Sequence, residues 1–106
     1  MPKYLLTGSY TTQGVKGVMA EGGTARVAAV RKLIESLGGT LESMYFAFGT
    51  DDWYITVDLP NNVATAAGAL TVGATGGANL RTVVLLTAEE VDAAVKQSAD
   101  YRAPGA

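Results

Sequence analysis

The sequence predicts an α+β domain in which one four-stranded antiparallel sheet carries helices between its strands. Three observations predict it. Thr40–Phe48 and Trp53–Leu59 are strand-like runs flanking a turn at Gly49-Thr50-Asp51-Asp52, and they read as a hairpin. Two further strand-like runs, Lys3–Tyr10 and Ala78–Leu86, lie outside it. Helical patterns separate each outer run from the hairpin. The order β-α-β-β-α-β is the split βαβ unit. Right-handed crossovers then place both helices on one face, with the strands in spatial order 4-1-3-2.

Each element has its own signal. In the first strand Tyr4, Leu6, Gly8 and Tyr10 share one face, and Lys3, Leu5, Thr7 and Ser9 the other. Thr11 or Thr12 can cap a short, glycine-weakened helix over Gln13–Ala20, which breaks at Gly22-Gly23. Thr24 caps a stronger helix, Ala25–Leu37, with Val27, Val30, Leu33, Ile34 and Leu37 as its apolar stripe. Arg26, Arg31, Lys32 and Glu35 fill much of the rest. Gly38-Gly39 ends that helix. In the hairpin's second strand Trp53, Ile55, Val57 and Leu59 alternate with Tyr54, Thr56 and Asp58. Pro60-Asn61-Asn62 starts a slim helix over Val63–Ala74, whose Val63, Ala66, Ala67, Leu70 and Ala74 are expected to face the sheet. Gly76-Gly77 precedes the last strand, where Leu80, Thr82, Val84 and Leu86 oppose Arg81, Val83 and Leu85. Thr87 and Glu90 form a capping box for a final helix, Ala88–Ala99, ahead of a frayed tail.

The whole chain, 1–106, is thus one ferredoxin-like βαββαβ domain with a C-terminal helix. Both sheet faces carry apolar residues, so both need cover. The simplest cover for the face away from the helices is the same face of a second chain, giving a dimeric α/β barrel. Composition agrees: hydrophobic residues make up 48% and charged residues only 17%, low for a surface that must be wetted everywhere.

Composition also removes functions. There is no cysteine and no histidine, so thiol nucleophiles, disulfides and the commonest general base and metal ligand are absent. The net charge is −2 with scattered basic residues, which argues against a nucleic-acid partner. No apolar run is long enough to span a membrane. The start runs straight into a strand pattern, so no secretory leader is read and a cytoplasmic location is expected. Gly14-Val15-Lys16-Gly17 matches the GxxG loop of KH domains only superficially, being four residues in a chain of the wrong charge. Asp51, Asp52 and Asp58 lack calcium-loop spacing. Neither a metal nor another cofactor is expected.

Several motifs carry a resemblance: Tyr10-Thr11-Thr12-Gln13-Gly14 at the start of the first helix, Leu37-Gly38-Gly39 after the second, and the turn Gly49-Thr50-Asp51-Asp52. Over Lys3 to about Lys96 the chain resembles the GYD family of small bacterial proteins. Gly49 and Asp52 match the turn that names the family, and Asp51 stands where a tyrosine is usual. The resemblance implies a dimeric α/β barrel, an architecture shared by cofactor-free monooxygenases, muconolactone-type isomerases and ligand-sensing domains. It leaves the activity open.

The 4-1-3-2 order gathers Ser9, Tyr10, Asp52–Tyr54 and Arg81 at one end of the sheet. The candidate ligand-binding residues are Tyr10, Tyr45, Asp52, Trp53 and Arg81; no catalytic residue is assigned. Asp52 is either a general base or an ordinary turn residue, with Arg81 as its ion-pair partner. Arg81 either clamps a ligand carboxylate or forms a salt bridge. Tyr10, Tyr45, Trp53 and Tyr54 either line an aromatic pocket or fill core and interface. Three functions remain: a homo-oligomeric small-molecule-binding or assembly module, a cofactor-independent monooxygenase or isomerase, and a purely structural oligomer. The first is preferred, since no spaced acid–base pair is evident. An open apolar cavity faced by Asp52 or Arg81 would mark a ligand site.

Overall fold

A computed structural model describes residues 1–106. Its elements are β1 (Lys3–Tyr10), α1 (Thr12–Glu21), α2 (Gly23–Ser36), β2 (Thr40–Phe46), β3 (Trp53–Asp58), α3 (Asn62–Ala74), β4 (Ala78–Leu85) and α4 (Ala88–Val95). The strands form one antiparallel sheet in the order β2-β3-β1-β4, the expected topology of a ferredoxin-like α+β fold.

Register decides what each face carries. Tyr4 lies opposite Val57 and Val84, Leu6 opposite Ile55 and Thr82, and Gly8 opposite Trp53 and Leu80. Cross-strand partners share a face, so this face holds the core. Tyr4, Trp53, Ile55, Val57 and Leu59 are buried there with Ile34 of α2. The other face presents Leu5, Thr7, Tyr45, Tyr54, Thr56, Arg81, Val83 and Leu85, as alternation requires, and no helix covers it. β2 shifts its register on β3 by one residue at a bulge at Glu42, between the pairs Leu41–Val57 and Ser43–Thr56. The Glu42 carboxylate pairs with Lys3, which also reaches Asp58. The hydrogen bond to Glu42, then that to Asp58, raises the Lys3 ammonium above its ordinary value.

α1 is tied to the α3–β4 turn. The Thr11 amide donates to the Gly77 carbonyl (3.0 Å) and the Thr11 hydroxyl to that of Gly76 (2.8 Å). Gly14 permits the approach, because a Cβ there would stand 1.9 Å from the Gly77 carbonyl oxygen. The α1–α2 break falls at Gly22, whose φ of +84° excludes most side chains. The α1 helix runs one residue further at each end than the expected Gln13–Ala20.

Besides the cap expected at Thr24, which is not made because α2 already starts at Gly23 after Gly22, three expectations need correction. β2 stops at Phe46 instead of Phe48: the Ala47 amide still donates to the Asp52 carbonyl (2.8 Å), and from Phe48 the chain bends into the turn. α4 stops at Val95, short of the expected Ala99. The third difference is larger. Val63 and Leu70 were expected against the sheet but are 79% and 74% exposed, while Thr65 and Gly68 are buried. α3 is rotated by about two residues, or ~200°, from the expected face. The helix has no charged residue to mark an outer side, so its pattern carries little directional information. Close packing decides instead: a Cβ on Gly68 would lie 3.0 Å from Leu37 Cδ1, and the Tyr4 hydroxyl donates to Asn62 Oδ1 at 2.5 Å.

The chain beyond β4 leaves the body. Residues 86–106 are exposed throughout, including Leu86, Val91, Val95 and Tyr101. The radius of gyration is 16.9 Å, against about 13 Å for a compact domain of this length. The capping box of Thr87 and Glu90 is formed, so α4 is encoded locally without tertiary support.

Candidate functional site

A cavity of about 110 Å³ lies between the core face of the sheet and helices α2 and α3. Leu6, Ile55, Leu80 and Trp53 form its floor, with Ile34 and Val72 among the helical residues above. The small side of α3, Gly68 and Ala69, leaves this space. A second compartment, about 310 Å³, is walled by α1 and the α3–β4 turn through Gln13, Gly14, Gly17, Thr75 and Gly77. Tyr10, Arg26, Val72 and Ala78 line both, so the two compartments meet there.

Trp53 is 4% exposed, and its Nε1–H is buried without a hydrogen-bond acceptor. A buried unpaired donor costs about 1–3 kcal/mol. The Tyr10 and Trp53 ring centroids lie 6.2 Å apart with the planes tilted by 53°, within the range of a favourable aromatic contact. Burial is the main cause that raises the Tyr10 phenol above its ordinary value, opposed by the neighbouring Arg26 guanidinium. Tyr10 is therefore a neutral hydroxyl at neutral pH.

The two turn carboxylates do structural work at this end of the sheet. Asp52 Oδ2 accepts from the Tyr10 amide (2.9 Å), and the Asp52 amide donates to the Gly8 carbonyl (2.7 Å). These contacts fix the end of β1 and with it the Tyr10 ring. Asp51 is buried on the other side. Its Oδ2 receives Arg81, and the Thr7 hydroxyl stands 2.8 Å from both that oxygen and the Trp53 carbonyl. The expected Asp52–Arg81 pair is thus an Asp51–Arg81 pair.

The sequence-predicted candidates divide by face. Tyr10 and Trp53 line the cavity. Asp52 touches it only through the Tyr10 backbone. Tyr45, opposite Tyr54, and Arg81, opposite Thr7, lie on the uncovered face. They share an end of the sheet with Tyr10 but not a side, because successive strand residues point oppositely. The aromatic pocket expected from four rings is made by two, and neither Asp52 nor Arg81 faces the cavity. Its cation is Arg26, which was placed on the solvent side of its helix. The signal was present: Arg26 stands four residues before Val30 and so continues the stripe through Val30, Ile34 and Leu37.

The Asp51–Arg81 contact gives a first prediction. Arg81→Met leaves a nearly buried carboxylate with the Thr7 hydroxyl alone and should cost about 1 kcal/mol, the exposed guanidinium being partly screened. Adding Asp51→Asn removes the stranded charge, so the double variant should be more stable than Arg81→Met. Urea denaturation measures both; a double variant less stable than the single one would contradict the assignment.

No helix is long and apolar enough to cross a membrane. Comparison with curated proteins and with solved structures returned no match. The GYD domain model matches residues 4–95, nearly all of the sheet and the covering helices described above. On that match, the chain belongs to the GYD domain family.

Proposed function

We propose that this protein is a small-molecule-binding module that works as a homo-oligomer and takes an apolar group into the cavity between the sheet and α2/α3. The observation that carries the reading is the cavity itself, open and walled almost wholly by apolar side chains, with the Trp53 indole on its floor. The volume supports it. Dry apolar cavities of about 150 Å³ bind benzene, and 110 Å³ suits an aromatic ring or a short alkyl chain. No carboxylate lines either compartment, and Asp52 is engaged by the Tyr10 amide, so the arrangement favours binding over proton abstraction.

The oligomer rests on the uncovered sheet face. Tyr45, Tyr54 and Val83 are 71%, 44% and 44% exposed there, in a chain of low charge content. An antiparallel face of this composition matches a second copy of itself, and burying it would remove on the order of 800 Å² per subunit, a standard interface.

Trp53 is the only tryptophan and serves as the reporter. Titration with toluene should shift its fluorescence and saturate. In Ala69→Leu, where the added side chain occupies the cavity, the shift should be lost while the far-ultraviolet circular dichroism is kept. An unshifted spectrum in the wild type would remove the ligand-binding reading.

A further inference from the structure

The two compartments differ in chemistry, and the difference specifies a ligand. The inner one is walled almost wholly by apolar side chains and ends on Trp53. The outer one is walled by the Gln13 amide, the Thr75 hydroxyl and the glycine-rich backbone of α1 and the α3–β4 turn. Arg26 is the only charged side chain on either wall and stands where they meet, near Tyr10, which lines both as well. A guanidinium is a planar fork that matches a carboxylate, and a protonated phenol adds a third donor. A single cation with neutral donors suits one negative charge; a phosphate dianion would call for more.

From this juxtaposition we propose that the cavity takes an amphipathic monocarboxylate. Its aryl or short alkyl group sits against Trp53, and its carboxylate lies at the junction on Arg26 and Tyr10. This rests on the small-molecule reading above and names the ligand class. Glu21 completes the arrangement. Its carboxylate accepts from Arg26 Nη1 at 2.9 Å, so the free protein supplies its own competitor for the guanidinium. Ligand binding then exchanges one carboxylate for another at Arg26. The cost is small because both members of that pair are partly exposed.

The experiment is a Trp53 fluorescence titration with 3-phenylpropanoate against its neutral isosteres, 3-phenylpropan-1-ol and 3-phenylpropanamide, on the full chain. The acid should bind about tenfold more tightly than either neutral compound. Arg26→Gln should abolish that preference, the acid then binding no more tightly than the amide, and Arg26→Lys should fall between, keeping the charge without the fork. Glu21→Gln should strengthen acid binding severalfold and leave the alcohol unchanged. Equal binding of acid and alcohol, or a preference that survives Arg26→Gln, would overturn the carboxylate assignment while the apolar cavity stands. If toluene and all three compounds fail to bind, the small-molecule reading falls and takes this one with it.

Discussion

Gly8→Ala should destabilise the protein by about 3 kcal/mol, the largest loss expected from adding a single methyl group anywhere in the sheet. Gly8 sits on the core face at the last pair of the β1–β3 ladder, between Trp53 on β3 and Leu80 on β4. A Cβ there would stand 1.9 Å from the Asn79 carbonyl oxygen and 3.1 Å from Trp53 Cη2. The first of these is backbone and cannot swing aside. Relief requires β4 to move from β1, or β1 to bend away from the Asp52 amide that its Gly8 carbonyl accepts. The same displacement would tilt Trp53, so the ligand response should be lost along with stability. Thermal melting should show a midpoint lower by about 10 °C or more. Gly17→Ala is the control, since a Cβ at Gly17 meets nothing within 4 Å and alanine favours a helix. A Gly8→Ala protein as stable as the wild type would mean that the β1–β4 contact is looser than described.

Tyr54→Asp should dissociate the oligomer or precipitate the protein. Tyr54 lies at the centre of the uncovered face, opposite Thr7 on β1 and Tyr45 on β2. In the proposed dimer it is buried against the partner's sheet face. An aspartate there would leave an uncompensated carboxylate in a desolvated setting on each subunit, at a cost of several kcal/mol. The gross gain from burying the apolar part of two such faces is on the order of ten kcal/mol or more, and association costs are similar, so a penalty of that size decides the equilibrium. In an isolated subunit the substitution costs little, because Tyr54 is 44% exposed. Sedimentation equilibrium distinguishes the outcomes. The wild type should be dimeric or larger at micromolar concentration and Tyr54→Asp monomeric or insoluble. A soluble, folded wild-type monomer would overturn the oligomer and leave the cavity reading intact, since its walls belong to one chain.

The strand order, the two faces of β1, β3 and β4, the capping box at Thr87 and the presence of a C-terminal helix were legible in the residue pattern, as were the capping pairs Thr11 or Thr12 and Asn61 or Asn62, of which Thr11 and Asn61 do the work; the cap expected at Thr24 is not made. They follow from interactions close along the chain. Alternation has a period of two, a capping hydroxyl or amide reaches its own helix's first turn, and crossovers have one hand. The Trp53–Ile55–Val57–Leu59 side of β3 could be read because polar residues separate its members.

What the pattern left undecided depended on contacts between elements. The face of α3 turned on the fit of Gly68 against Leu37, because a helix with no charges offers no polar side to exclude from the core. Arg81 took Asp51 and not Asp52 because the turn swings one carboxylate under each side of the sheet. Tyr45 and Tyr10 share an end of the sheet yet stand on opposite faces, a separation visible only once β2 and β3 are in register. Arg26 continues the α2 stripe, but the outer wall it also lines exists only because α1 is held to the α3–β4 turn at Gly14 and Gly77, a contact between residues far apart in the chain. Local rules set which way a side chain alternates; packing of distant segments settles what it meets there, and the cavity, its unpaired Trp53 donor and its one cation are products of that packing.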